Sequence, residues 1–186
     1  MKIYSSILLA FCCFSSAAQI VSNQNLKQQI IRDWERAKAY TQEYLDAMPA
    51  DKYGFRPTDG VRSFTEQMMH LAQSNTLLVS ICSGYDNVSL QLLRASNFGK
   101  SPTALTKDSV VYYVAASYDF VINTVKQLDF DKSGEMASGE LPGGKRTTTR
   151  LGWLLKAFEH QTHHRGQCTV YLRLAGVVPP SEKLWE

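Results

Sequence analysis

The chain is poor in cysteine, and its cysteines do not form the pairs that zinc knuckles use. Four of the 186 residues are cysteine, and no two of them are spaced C-x-x-C. This absence excludes a cysteine zinc knuckle and a covalently attached haem of the C-x-x-C-H type. An oxidising compartment would permit a disulfide between Cys82 and Cys168. We predict instead two separate buried thiols, because free cysteine packs as a small hydrophobic residue.

The chain also lacks a strong charge excess and a long hydrophobic run. Its 20 Lys and Arg residues stand against 17 Asp and Glu residues, which leaves a net charge of +3. So small an excess gives no reason to expect a nucleic-acid partner. No apolar run reaches the roughly 20 residues that a transmembrane helix needs, so we expect no stable membrane insertion of the mature chain. The hydrophobic content of 44% is typical of a globular protein, and 186 residues suit one domain.

The N-terminus has the pattern of a cleaved secretory signal. Lys2 supplies a positive charge, residues 7–14 form a short apolar run, and small residues occupy positions 16–18. We therefore predict a signal peptide over residues 1–18, with Gln19 as the first mature residue. Residues 19–186 are predicted to form a single domain that is exported, either to the periplasm or out of the cell. A buried N-terminal helix is the less favoured alternative.

Four long segments carry apolar residues at three- and four-residue steps, which is the period of an amphipathic helix. They cover about residues 25–48, 63–83, 107–128 and 148–175. Ser63 and Glu66 have the spacing of a capping box at the start of the second segment. The third is rich in β-branched residues, but a run of this length without a turn signal favours a helix over a strand. The four segments predict an all-α fold, a four-helix bundle in one domain.

The polar, glycine-rich connection over residues 129–146 contains the spacing of two ligand-binding loops that we do not assign. Asp129 to Glu140 fits a calcium EF-hand loop, but Pro142 and two glycines follow where a helix should begin. Gly139 to Lys145 fits G-x4-G-K of a phosphate-binding loop, but Arg146 stands where Ser or Thr is needed. We expect a solvated turn here, with part of the segment a candidate for a short hairpin.

Histidine is scarce, and three of the four histidines lie within five residues of one another. His160 and His164 are spaced i, i+4, so both imidazoles project from one face of the fourth helix. The other members of this face are apolar or aromatic, which predicts that the face points into the bundle. The face comprises Trp153, Ala157, His160, His164, Cys168 and Tyr171. His163 lies about 100° away on the helix and is predicted to be a surface or supporting residue.

A divalent metal ion would satisfy two imidazoles that are buried side by side. His70, in the middle of the second helix, is the candidate third ligand because it is the only histidine outside the fourth helix. Three histidines and a water form a recognised zinc arrangement, so zinc is our first choice, with nickel or iron as alternatives. The competing interpretation is that His160 and His164 are ordinary core residues, hydrogen-bonded to carboxylates or carbonyls.

The block from Glu159 to Gln167 contains H-x3-H-R-G-Q and is followed by Leu172-Arg173 and by Gly176 to Pro180; Ser63 to His70 precedes it on the second helix. This pattern resembles the DinB/YfiT-like superfamily over nearly all of residues 25–180. The resemblance implies a four-helix bundle with a three-histidine metal site. It assigns His70, His160 and His164 as ligands. The family includes thiol-dependent transferases, a maleylpyruvate isomerase and proteins classed as metal-dependent hydrolases.

These observations predict a metal-dependent hydrolase that acts through a metal-bound water on an unidentified small-molecule substrate. Export favours hydrolysis over thiol transfer, since the thiol-using members of the family are cytosolic. The alternatives are a thiol-dependent S-transferase and a non-catalytic bundle in which the ion staples the second helix to the fourth. A homodimer formed through exposed helix faces stays open. The sequence reveals no general base. Glu66 is a candidate hydrogen-bond acceptor for a histidine, but we favour it as the helix cap.

Overall fold

The computed structural model describes residues 22–85 and 106–185, and in these ranges it contains four long helices and one β-hairpin. The helices are α1 Asn23–Ala47, α2 Phe64–Ser83, α3 Lys107–Gln127 and α4 Arg150–Leu174. The strands β1 Met136–Leu141 and β2 Gly144–Thr149 lie between α3 and α4, and short 3-10 turns at Ala50–Lys52 and Phe130–Lys132 follow α1 and α3. The predicted four-helix bundle is confirmed, and every helix end lies within two residues of its expected position.

Each of the four described helices begins at a Ser or Thr that caps its first turn. The capping residues are Ser22, Ser63, Thr106 and Thr149. Their hydroxyl oxygens accept a hydrogen bond from a backbone N–H that the helix itself leaves without a partner. At α2 the capping box is complete, because Glu66 N–H donates to Ser63 Oγ at 3.2 Å and Ser63 N–H donates to Glu66 Oε2 at 2.5 Å. The capping role predicted for Glu66 is therefore confirmed.

Helix α2 is the most enclosed helix of the bundle. It packs along α4 on one side and along α3 on another, while α1 packs mainly against α3. Burial on α2 consequently extends to polar side chains, including Gln67 and Asn75. The β-branched face of α3 is buried in the same core and comprises Val110, Val114, Val121 and Val125. One face of α2 and one face of α4 thus meet along their length, and this contact positions the histidines.

The connection between α3 and α4 is an ordered hairpin rather than a wholly irregular turn, so the fold is helical with one small β-element. Strands β1 and β2 pair antiparallel from Met136↔Thr149 to Leu141↔Gly144. The hairpin rests on the helices, because Trp153 Nε1 donates to the Ala137 carbonyl at 3.0 Å. Gly139 lies directly against Ile81 of α2, and a Cβ added there would sit 2.7 Å from Ile81 Cγ1. The EF-hand spacing is divided between the turn Phe130–Lys132 and strand β1, where Glu140 lies, and Gly139 to Lys145 span the two strands and their connection.

The two cysteines of the described ranges are separate, buried thiols, as predicted. Burial raises the pKa of Cys82 to about 11 and the pKa of Cys168 to about 12. Both groups therefore stay protonated at neutral pH and provide no thiolate for chemistry.

The predicted signal peptide, residues 1–18, lies outside the described residues, and its cleavage stays a prediction. Within residues 22–85 and 106–185, no helix combines the length and the apolar character needed to cross a bilayer.

Candidate metal centre

Three histidines from two helices converge between α2 and α4. His70 comes from the middle of α2, and His160 and His164 come from successive turns of α4. One ring nitrogen of each histidine lies within 4.8 Å of a ring nitrogen of the other two. His160 Nε2 and His164 Nε2 are 3.2 Å apart, and the ring centroid of His70 lies 5.0 and 4.6 Å from those of His160 and His164. The structure therefore brings together the three residues that the sequence singled out.

The spacing of these nitrogens suits a shared metal ion. Two ligands of a tetrahedral zinc ion at the usual Zn–N length lie about 3.3 Å from each other. The Nε2–Nε2 distance of 3.2 Å between His160 and His164 matches this separation. The other separations between the three ligand nitrogens do not exceed 4.8 Å. The donor set is three imidazoles and contains no carboxylate, which favours zinc and late transition metals over magnesium or calcium.

The competing interpretation, ordinary core histidines, fits the hydrogen bonds poorly. Within the described residues, none of the three clustered rings bonds to a carboxylate or to a backbone carbonyl. His160 Nδ1 is buried and has no hydrogen-bond partner there. Because Nε2 of His160 is the atom that faces the cluster, Nδ1 is its outer nitrogen and does not separate the two interpretations; the missing carboxylate and carbonyl partners do. A cluster assembled to bind an ion accounts for the arrangement better.

Gln67 sets the tautomer of His164. Gln67 Nε2 donates to Gln167 Oε1 at 2.7 Å and to the Tyr171 hydroxyl at 3.3 Å, so its Oε1 is the atom that faces His164. His164 Nδ1 lies 2.7 Å from that oxygen and must carry the proton. The lone pair of His164 is then on Nε2, which points to the centre of the cluster. This arrangement, with the outer N–H donated to a neutral acceptor, is how metal-binding histidines are usually oriented.

His163 lies outside the cluster but is connected to it. Its side chain is exposed, and its Nε2 accepts a hydrogen bond from Gln167 Nε2 at 3.0 Å. Gln167 in turn accepts from Gln67, which accepts from His164. The prediction of a surface or supporting role for His163 is confirmed, because the residue terminates a hydrogen-bonded chain that begins at His164.

All three clustered imidazoles are held in the neutral form. Burial, followed by the nearby Arg62 charge, lowers the pKa of His70 to about 4. Burial and the neighbouring His160 lower the pKa of His164 to about 3. The pKa of His160 is also lowered, mainly by burial. No proton has to be removed at neutral pH before these nitrogens donate to a cation.

The sequence profile of the DinB family matches residues 21–185. The chain belongs to the DinB family. Among solved structures, a DinB-like protein of Bacillus cereus superimposes with a TM-score of 0.68 at 16% identity, covering 84% of this chain and 97% of the other. A DinB-like protein of Bacillus subtilis gives 0.61 at 20% identity, covering 84% and 96%. A conserved protein of Enterococcus faecalis gives 0.61 at 19% identity, covering 80% and 96%.

At these identities the solved relatives establish the DinB-like fold and nothing finer. A search of curated proteins returned no match. The role of the three histidines in this DinB-family chain therefore rests on its own geometry.

Glu66, the alternative acceptor considered from the sequence, forms its hydrogen bonds with Ser63 and Arg56 rather than with a histidine. Its Oε2 accepts hydrogen bonds from Ser63 N–H and, at 2.7 Å, from Arg56. Burial alone would raise the pKa of Glu66, but these two donors reverse the effect and lower it. Gln67, the next residue, is the acceptor that the sequence did not reveal. Its only signal was its place on the same helical line as His70.

Arg165 is a second residue whose role was not predicted. It follows His164 directly, yet it is only 3% exposed and has no carboxylate partner within the described residues. Its guanidinium lies 4.5 Å from the Tyr40 ring centroid and donates to Gln161 Oε1 at 2.9 Å. The same oxygen accepts from the Tyr118 hydroxyl at 2.9 Å. This buried polar layer joins α4 to α1 and α3.

Replacing Gln67 with Leu is expected to weaken zinc affinity about 10- to 100-fold, because Leu cannot accept the hydrogen bond from His164 Nδ1–H. Competition with a chromophoric chelator at neutral pH measures the change. Gln67→Glu is the matched control. A carboxylate still accepts the hydrogen bond from His164 Nδ1–H, so the zinc affinity should stay within a few-fold of the wild type. Equal affinities for wild type and Gln67→Leu would show that Gln67 does not orient a ligand.

Proposed function

We propose that this protein is an exported, metal-dependent hydrolase that holds one divalent ion through His70, His160 and His164. The observation that carries the proposal is the convergence of three neutral imidazoles from two helices, with His160 and His164 spaced as ligands of one ion. Zinc is the first choice for the ion, and nickel or iron are the alternatives. Export is supported by the residue pattern of positions 1–18.

Access to the cluster favours an enzyme over a purely structural site. His164 is 5% exposed, but His70 and His160 are only partly buried, so the cluster opens towards the surface. When bound, a divalent ion with three neutral imidazole ligands supplies an acidified water or polarises a carbonyl group. The chain contributes orientation, since Gln67 fixes the ring of His164, and it contributes partial exclusion of water between α2 and α4.

The experiment also tests the two alternatives to a hydrolase, a thiol transferase and a purely structural metal site. A thiol transferase of the same family would need a thiol from solution, because Cys82 and Cys168 are buried and protonated. A metal that only staples α2 to α4 would need no opening to solvent, whereas His70 and His160 are only partly buried. The hydrolase is preferred because it uses the opening of the cluster and needs no second substrate besides water.

The test is turnover by zinc-loaded mature protein on a panel of esters, lactones, amides and phosphoesters. We expect hydrolysis of at least one class, loss of that activity on chelation, and recovery when zinc is returned. His163→Ala should behave as the wild type, because His163 is exposed and outside the cluster. Turnover that appears only when a low-molecular-weight thiol is added would identify a transferase. If the zinc-loaded protein turns over nothing, and added azide leaves the spectrum of its cobalt(II) form unchanged, the ion is a structural staple.

A further inference from the structure

A line of hydrogen-bonded side chains connects the three-histidine cluster to the surface, and each member can both donate and accept. Neighbouring polar atoms along it lie 2.7 to 3.2 Å apart, and the members in order are His160, His164, Gln67, Gln167 and His163. A neutral imidazole has one donor and one acceptor nitrogen, and a side-chain amide has a donor nitrogen and an acceptor oxygen. All of these bonds can therefore be reversed together, with the amides turned over and the imidazoles in the other tautomer.

The two directions of the line differ in what His164 presents to the cluster. In one direction His164 Nδ1 donates to Gln67, and the lone pair of His164 lies on Nε2, which faces His160 Nε2 at 3.2 Å. In the reverse direction Gln67 donates to Nδ1, and Nε2 carries a proton where an ion would bind. Only the first direction leaves His164 ready to act as a ligand, because a metal is bound through the lone pair of an imidazole nitrogen.

Tyr171 forms the contact that selects one direction. Its hydroxyl lies 2.6 Å from the Arg62 carbonyl oxygen and 3.3 Å from Gln67 Nε2. A backbone carbonyl only accepts, so the hydroxyl proton goes to Arg62 and the hydroxyl oxygen is left to accept from Gln67. The amino group of Gln67 must then face Tyr171, which leaves Gln67 Oε1 to face His164 Nδ1.

Both partners of the Tyr171 hydrogen bond are fixed in position. Tyr171 lies on α4 and is only 5% exposed. Arg62 directly precedes Ser63, whose side chain caps the first turn of α2. Gln167 has no comparable anchor, because its other neighbour on the line is the imidazole of His163, which donates or accepts according to its tautomer.

We propose that Tyr171 is a positioning residue of the metal centre, which acts through Gln67 to keep the lone pair of His164 on Nε2. This inference rests on the metal centre proposed above. Tyr171 fixes the direction of the whole line, and Gln167 and His163 follow the direction that Tyr171 selects. The hydroxyl of Tyr171 thus prepares a ligand that lies about two turns away on the same helix.

The tautomer of His164 is the direct test. It is read from long-range proton–nitrogen correlation spectra of the mature protein, with isotope-labelled histidine and with metal removed, at neutral pH. The His164 signals are assigned by their absence in His164→Ala. We expect the wild type to carry the proton on Nδ1 alone. In Tyr171→Phe the two directions satisfy the line equally, so the Nε2–H tautomer should appear in roughly half of the molecules or more. Its zinc affinity should fall about two- to tenfold, because part of the protein no longer presents the lone pair.

Two further variants separate this role from a purely structural one. Tyr53→Phe is the matched control, because Tyr53 is also buried and its hydroxyl donates to a backbone carbonyl, that of Leu45, at 2.7 Å. It should keep the single Nδ1–H tautomer and the zinc affinity of the wild type. Gln167→Leu should also keep the single tautomer, since Tyr171 still accepts from Gln67.

The inference is overturned if Tyr171→Phe keeps the single Nδ1–H tautomer, or if Gln167→Leu mixes the two tautomers to the same extent as Tyr171→Phe. Zinc binding by the wild type, measured first, separates the two proposals. A wild type that binds no zinc overturns the metal centre and the role of Tyr171 in it together. A wild type that binds zinc, beside a Tyr171→Phe variant with a single tautomer, overturns the inference alone.

Discussion

Replacing His164 with Ala is expected to lower the metal content of the reconstituted protein from about one ion per chain to close to none. The substitution removes one of three protein ligands, and it removes the one that Gln67 holds in place. Two ligands on different helices, His70 and His160, are too few to retain a divalent ion against dilution. Elemental analysis after reconstitution at neutral pH and gel filtration measures the loss.

His163→Ala is the control for His164→Ala, because it removes the adjacent imidazole, which is exposed and outside the cluster. It should retain the ion. Chelation should also lower the melting temperature of the wild type by roughly 10 °C and leave His164→Ala unaffected, since an ion that binds only the native state stabilises it by mass action. A wild type that binds no ion, even after reconstitution, would mean that the histidines are core residues. The enzyme proposal would then fall, leaving a helical binding module.

Arg165→Ala should reduce the free energy of unfolding by about 2 to 4 kcal/mol. Arg165 is 3% exposed, so Ala leaves a cavity where the arginine stem and guanidinium packed. The contact with the Tyr40 ring and the hydrogen bond to Gln161 Oε1 are lost at the same time. Urea unfolding followed by circular dichroism measures the change, and an unchanged slope with denaturant shows that the two states compared are the same.

Arg165→Met separates the packing contribution from the charge. Met keeps most of the stem volume and removes a buried cation that no carboxylate of the described residues compensates. The desolvation of such a cation is unfavourable by several kcal/mol, so its removal offsets the lost hydrogen bond and ring contact. We therefore expect Arg165→Met to be within about 1 kcal/mol of the wild type or more stable. A Met variant as unstable as the Ala variant would show instead that the guanidinium interactions hold α4 against α1.

Much of the local structure follows from the sequence because its causes are local. Helix α2 begins close to the expected residue, since Ser63 and Glu66 form their capping box from side chains three residues apart. The third segment forms a helix despite its valines, because one face of some twenty residues covers the core. His160 and His164 share a face for the same reason: the helical period alone places them one turn apart.

The hairpin shows where local patterning becomes weak. Residues 136–149 have few apolar side chains, so no period distinguishes a strand from a loop there. The pairing is decided by contacts made after folding, namely Gly139 against Ile81 and Trp153 against the Ala137 carbonyl. For this reason the sequence predicted an all-α fold and left the hairpin only as a candidate.

In the metal centre, too, the helical period determines some features and tertiary packing decides the others. Helical spacing determines that His160 and His164 point in one direction, but it carries no information about which helix lies opposite. The packing of α2 against α4 decides that His70 meets these two histidines. It also decides that Gln67, rather than Glu66, accepts the hydrogen bond from His164 Nδ1–H. The burial of Arg165 likewise depends on how the helices pack. The relevant residues are some ninety positions apart in the chain. Their relative rotation and height are decided by the close packing of the whole core, which no local pattern encodes.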